Sequence, residues 1–185
     1  GPRPRREIDQ KRLARYADPL PFYYSPLEQQ LIDQTQYPFA AITQRPMHMY
    51  HSWDSQNSWL RQITAQNYLY MNRVSAQEKG IDDLSWVWVE SHNGRIKVQV
   101  KLMEGVEPNT VWTWNAIGKR SGTWGLEKDA KEATHGFLLN HLISESLPQL
   151  DPGYSITNSD PITGQAAWYD LRVNILPAEG DDNEA

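Results

Sequence analysis

One stretch limits the possible folds more than any other: SWVWVESHNGRIKVQVKL, residues 85–102. In its second half Ile96, Val98, Val100 and Leu102 alternate with Lys97, Gln99 and Lys101. Alternation at period two gives a strand with one buried and one wet face. In its first half both faces are apolar, so that strand is expected deeper in the sheet. Between them stands His92-Asn93-Gly94. Asn-Gly favours the positive backbone angles of a tight hairpin turn. Residues 85–90 are therefore expected to pair with 95–101, and helix over 86–101 is excluded.

Other strands are read around this hairpin. FAAIT (39–43) is a short apolar run before Arg45-Pro46, TVWTW (110–114) follows a turn at Glu107-Pro108-Asn109, and AWYDLRVNI (167–175) comes last. Asn72 caps a short helix, RVSAQEK, which Gly80 ends. MHMYHSWDSQN reads as a loop leading into a helix near residues 58–65, and DAKEATHGFLLNHLIS (129–144) as mostly helical. Residues 1–36 read as an extended polar arm with one helical stretch, SPLEQQLIDQ, capped by Ser25 and entered at Pro26. Residues 37–177 form the body, and 178–185 an acidic tail. At least five short strands with turns and a few short helices predict a mainly β, closed or nearly closed barrel.

Composition narrows the function. The net charge of -5 gives no general attraction for nucleic acid or anionic membranes. Without Cys, disulfides, iron–sulfur clusters and thiolate zinc sites are excluded within this chain, while the compartment, cytoplasmic or periplasmic, stays open. No apolar run approaches the ~20 residues of a membrane helix. The basic start GPRPRREIDQKRLARY has no apolar core and does not read as a signal peptide. Neither a nucleophile elbow, a Walker loop nor an HExxH pair is present. His48 and His51 are three apart, but in a loop, which makes a poor metal-ligand pair.

Three loops gather small polar donors: HSWDSQN (51–57), WNAIGKRSG (114–122) and TNSDPITGQ (157–165). His51, Ser52, Gln56, Asn57, Asn115, Asn158 and Gln165 offer neutral hydrogen bonds suited to the edge of a purine or pterin. Asp160 can accept from a ring N–H pair, and Lys119 and Arg120 can meet phosphate. Each has a plainer alternative. His51-Ser52 and Asp160-Pro161 also suit simple turns, Lys119-Arg120 a solvated loop, and Asn140-His141 a helix end. The eight Trp suit either a core of amphipathic rings or platforms for a flat ligand.

From Phe39 to Ile175 the chain resembles the C-terminal molybdopterin-dinucleotide-binding domain of the dimethyl sulfoxide reductase family. The resemblance rests on Arg45 after a strand, HSWDSQN with Trp59 and Leu60, YLYMNRVSAQEKGIDDLSWVWVESHNGRI, Asn140-His141-Leu142, and SDPITGQ. It implies a six-stranded double-psi β-barrel of the aspartate decarboxylase-like type. It also implies a role in holding molybdopterin guanine dinucleotide in a larger oxidoreductase of molybdenum or tungsten, formate dehydrogenase-like or sulfite dehydrogenase-like. The cofactor-binding residues implied are Arg45, His51, Ser52, Gln56, Asn57, Asn115, Lys119, Asn140, Asp160, Gly164 and Gln165. Two features depart from the family: Val74-Ser75-Ala76 stands where many members carry an Asp, and Trp is unusually dense near the loops. Implied partners are the remaining domains of the same catalytic subunit and an iron–sulfur electron-transfer subunit, with no direct membrane insertion. The chain alone is expected to carry no metal ligand and no turnover. A stand-alone barrel binding a ligand or protein is the alternative. A carbohydrate-binding module is a third reading, and Trp86 and Trp88 beside valines on one strand argue against it.

Overall fold

A computed structural model describes residues 3–17, 19–21, 23, 25–55, 57–118, 127, 129–147, 156–160, 162–166 and 170–178. Its centre is a closed barrel of six strands: β1 (Phe39–Gln44), β2 (Leu69–Met71), β3 (Trp86–Ser91), β4 (Gly94–Leu102), β5 (Thr110–Trp114) and β8 (Arg172–Pro177). The order around the barrel is β1-β5-β2-β4-β3-β8. β1 runs parallel to β5 and β2 parallel to β4, while the other neighbours are antiparallel. This is the double-psi barrel expected. Two further strands, β6 (Ser146–Leu147) and β7 (Ile156–Thr157), pair outside it.

The alternating sequence decides which side chains fill the barrel. Ala41, Leu69, Met71, Val87, Val89, Val98, Val100, Val111, Val173 and Ile175 are buried in one core cluster. Trp86 and Trp88 point the other way from Val87 and Val89, because successive strand residues alternate faces. They are only half-buried, with Lys97 over Trp86 and Arg95 over Trp88. The first strand of the hairpin is thus apolar on both faces for two reasons: valines inside, and cation-covered indoles outside. Tyr70 and Trp112 stack outside in the same way, ring centroids 4.0 Å apart.

The hairpin pairs as expected, Trp86 opposite Gln99 through Ser91 opposite Gly94. The turn chemistry differs. His92 and Asn93 form the two-residue turn, and neither Asn93 nor Gly94 takes a positive φ. Side chains hold the turn instead. The Ser91 hydroxyl donates to Leu142 O at 2.7 Å, and Asn93 N–H donates to Ser91 Oγ. A Cβ at Gly94 would meet His141 O at 3.8 Å, an ordinary contact, so the packing here does not itself demand glycine.

Around the barrel stand short helices: α1 (Glu7–Tyr16), α2 (Leu27–Leu31), α3 (Ser58–Arg61) and α4 (Arg73–Glu78). Asn72 caps α4 by accepting from Val74 N–H, and Gly80 follows at φ +66°. The arm carries more helix than expected. α1 is held by local ion pairs, Arg6 with Asp9 and Lys11 with Glu7, and buries nothing. α2 is capped at Pro26, not Ser25, and docks on the barrel through buried Glu28, with buried Ile32 just beyond it. Residues 129–144 are not mostly α-helical: they form two 3-10 turns, Lys131–Thr134 and Leu139–Leu142. Leu139 and Leu142 are both buried, and side chains three apart eclipse on one side of a 3-10 turn.

Candidate functional site

Strand direction gathers the candidate loops at one end. β1 and β5 are parallel, with Gln44 level with Trp114, so the chain leaves both at the same end. Arg45 follows one and Asn115 the other, and Asn115 N–H donates to Gln44 O at 2.8 Å. β8 runs antiparallel to β1, so the chain entering it also lies there, where Ala41 N–H donates to Leu171 O. β3 is antiparallel to β8, which puts the 92–93 turn and its partner, residues 139–143, at this end too. The chain that carries HSWDSQN therefore leaves β1, and the chain that carries SDPITGQ leads into β8, at the same end of the barrel.

The first loop folds as a 3-10 turn, His51–Asp54, and Tyr50 N–H donates to the Asp54 carboxylate. His51 has φ +52°. Its Nδ1 lies 3.4 Å from Asn115 Nδ2, so the first and second loops touch. Arg45 is exposed and reaches over the Tyr50 ring, 5.9 Å from its centroid. Asn57 is spent locally: it caps α3 by accepting from Trp59 N–H. Trp53 is 80% exposed, so it does not fill the space as core. Gln56 and Lys119 lie outside the described residues, as does the side chain of Ser52.

The second loop is shaped by close backbone approach. Ala116 and Gly118 both have positive φ. A Cβ on Gly118 would come within 1.9 Å of His135 O, so only glycine fits. His135 O also accepts from Asn67 N–H, while Asn67 Nδ2 donates to Trp114 O and Asn67 Oδ1 accepts from Thr113. Buried Asn67 thus fixes the exit of β5, a role that a lone Asn before a strand did not signal in the sequence. Asn115 Oδ1 is buried and has no hydrogen-bond partner among the described residues; His48 Nε2 is in the same state. Buried polar atoms are nearly always paired, and an unpaired one costs about 1–3 kcal/mol.

The third loop is a closed turn. Asp160 Oδ1 accepts from Ile162 N–H, Thr163 N–H and the Thr163 hydroxyl, and Asp160 N–H donates to Gln165 O. Gly164 has φ +74° with open space around it. Asp160 is therefore a turn former, the plainer of the two sequence readings, whatever else its second oxygen does. Asn140 is exposed on the Leu139–Leu142 turn, the segment that holds the 92–93 hairpin turn. The structure brings His51 against Asn115 and Arg45 over Tyr50, whose ring meets His51, while Asn140 lies on the turn beside the 92–93 hairpin and Asp160, Gly164 and Gln165 lie in the segment that leads into β8 from that end.

Electrostatically this end is mixed. Burial pushes the Glu28 carboxyl up, partly offset by hydrogen bonds from Arg172 N–H and Asn158. Burial also raises Asp170 and lowers His92. Among the described residues, no three His, Cys, Asp or Glu side chains gather to hold a metal ion. The arrangement can present an amide, an imidazole, a guanidinium and turn backbone to a polar heterocycle.

Comparison with known proteins points the same way. The model of the family described as Molydopterin dinucleotide binding domain matches residues 39–155. The chain is 53% identical over 187 aligned residues to a sulfite dehydrogenase subunit of Allochromatium vinosum, covering 100% of this chain and 19% of that protein. It is 29% identical over 149 residues to dopamine dehydroxylase of Eggerthella lenta, covering 80% of this chain and 13% of that protein. Acetylene hydratase from Pelobacter acetylenicus superposes with a TM-score of 0.63 over 87% of this chain and 22% of that one, at 20% identity. The chain thus spans no more than about a fifth of the length of these proteins.

Proposed function

Since this chain belongs to the molybdopterin-dinucleotide-binding domain family of the dimethyl sulfoxide reductase type, we propose that the β1/β5 end of its barrel is where the dinucleotide is held. Binding molybdopterin dinucleotide, in its guanine form, is the domain's function within a larger oxidoreductase. The observation that carries the site is Asn115: a buried amide oxygen without a partner, touching His51, between two loops that leave parallel strands. A ring N–H would satisfy that oxygen, which is how the residues present fit the group.

The roles follow from chemistry. Asn115, His51 and Gln165 offer hydrogen bonds to ring edges. Arg45 supplies the positive charge for pyrophosphate, because a chain of net charge -5 has no broad field to attract it. Gly164 and the Asp160 turn present backbone groups. Ser52, Gln56 and Asn57 of the first loop, Lys119 of the second and Asn140 on the Leu139–Leu142 turn complete the proposed set, Asn57 through its amide nitrogen because its oxygen caps α3. When bound, the cofactor supplies the metal centre for two-electron redox chemistry. The domain's own part is orientation and the electrostatic surroundings of the rings.

For the whole protein we favour oxidation of sulfite over formate, since the relative at 53% identity is a sulfite dehydrogenase subunit. Remaining domains of the same subunit supply the metal ligand, and an iron–sulfur subunit takes the electrons. Within this chain, residues 1–36 act as an arm, 37–177 as the binding barrel and 178–185 as a tail. The site is tested in the full-length subunit by D160N and Q165A. Asn at 160 keeps an acceptor for the turn, so the effect of charge is separated from that of shape. Molybdenum and nucleotide content per subunit should fall in Q165A, with less change in thermal stability. Full occupancy in both variants would overturn the assignment of this loop. Sulfite-dependent reduction of an artificial acceptor, set against formate, tests the substrate.

A further inference from the structure

Glu28 belongs to the arm, yet its side chain is almost fully buried, at 1% exposure, against the far end of the chain. Its Oε2 accepts from Asn158 Nδ2 at 3.0 Å, a residue 130 positions later. Its Oε1 accepts from Arg172 N–H at 3.2 Å, 144 positions later. Those two donors stand at either end of the segment that carries Asp160, Gly164 and Gln165. Asn158 is itself anchored, its N–H donating to Glu145 O at 2.7 Å. Around the carboxylate lie the His92 ring, with Nδ1 4.0 Å away, and the charges of Asp170 and Arg172. Burying a carboxylate is costly unless its oxygens are hydrogen-bonded, so α2 would not place one here without the two donors. Between them, the described residues form the Asp160 turn and the Ser159–Ala166 bridge. Glu28 meets this segment at both of its ends.

We infer that Glu28 is a positioning residue for the cofactor-binding loop, clasping Asn158 and Arg172 so that Asp160, Gly164 and Gln165 are held against the barrel end. The inference rests on the site proposed above and extends it to the arm. Each carboxylate oxygen meets one donor. An amide at 28 can accept only one of the two bonds and turns an N–H toward the other donor.

The test is amide hydrogen exchange over residues 156–172 in the full-length subunit, prepared without molybdenum. Nucleotide content is measured on the molybdenum-replete protein. E28Q should raise exchange in this segment about tenfold, the loss expected when one charge-assisted bond of about 1.5 kcal/mol is removed. E28Q combined with N158D should restore protection. The amide introduced at 28 then donates to the carboxylate introduced at 158 and still accepts from Arg172 N–H. Nucleotide content should fall in E28Q and recover in the double variant. N158A removes one side of the clasp only. It should loosen residues 158–166 while Arg172 N–H stays protected, and it serves if E28Q does not fold. Unchanged exchange in E28Q, or in N158A, overturns the clasp. So does loosening that the double variant fails to reverse. Exchange that rises and is rescued, beside full nucleotide content in E28Q and Q165A, would keep the clasp and reject the binding site.

Discussion

Replacing Gly118 with alanine puts a methyl group where a neighbouring backbone already lies. The added carbon would come 1.9 Å from His135 O, 2.4 Å from His135 C and 2.8 Å from Gly136 Cα. Ordinary contact begins near 3.4 Å, so residues 135–136 must move. They cannot move alone, because His135 O holds Asn67 N–H, and Asn67 holds Trp114 O at the end of β5. Gly80 is the matched control: it has φ +66° against +76° at Gly118, with nothing within 4 Å. G80A should cost only the left-handed conformation, about 1–2 kcal/mol. G118A should cost that and a further ~1–3 kcal/mol for overpacking. With a urea dependence of about 2 kcal/mol per molar, the G118A midpoint should lie roughly 0.5–1.5 M below that of G80A. Tryptophan fluorescence during urea unfolding reads it directly. Equal midpoints for the two variants would refute the close approach, and with it the account of how the Asn115 loop is shaped.

Further tests address the core and the buried acids. L69A removes a fully buried side chain from the barrel interior and should cost about 2–5 kcal/mol, whereas I63A, at a 65% exposed position, should stay within about 0.5 kcal/mol; unfolding curves separate them. Asp170 is held above the usual carboxylate range by burial, so its charged form weakens the fold above the folded pKa, and that cost vanishes below about pH 4, where the unfolded group is also protonated. D170N should therefore be more stable than the parent near pH 7, with the gap closing as pH falls. A gap constant with pH would contradict this.

Legibility in the sequence followed the strength of local pattern. The β3/β4 hairpin, β1, β5, β8 and the Asn72 cap were readable because alternation and capping act over a few neighbouring residues. β2 escaped notice as a separate strand: Leu69–Met71 has three residues, too few to show a period, and owes its place to pairing with β4 and β5. Residues 129–144 looked helical from composition, but the contact of His135 and Gly136 with Gly118 and the tie from Asn67 impose a bent path. Asn93-Gly94 suggested a turn by intrinsic preference, and tertiary bonds from Ser91 and Asn93 set a different one. Within the candidate site, loop membership was legible, but which amide is left unpaired was not. That Asn57 caps α3 while Asn115 Oδ1 stays orphaned depends on the folded backbone. Glu28 gave no signal, because its partners lie more than a hundred residues away.

The most direct measurement is an experimental structure of the full-length subunit with its dinucleotide bound, read at one atom. Asn115 Oδ1, unpaired and buried here, should accept a hydrogen bond of about 2.7–3.2 Å from a ring N–H or amino group of the cofactor. His51 and Gln165 should lie on the same face of that ligand. A dinucleotide seated at the opposite end of the barrel, or an Asn115 oxygen paired only with protein or water, would contradict the account.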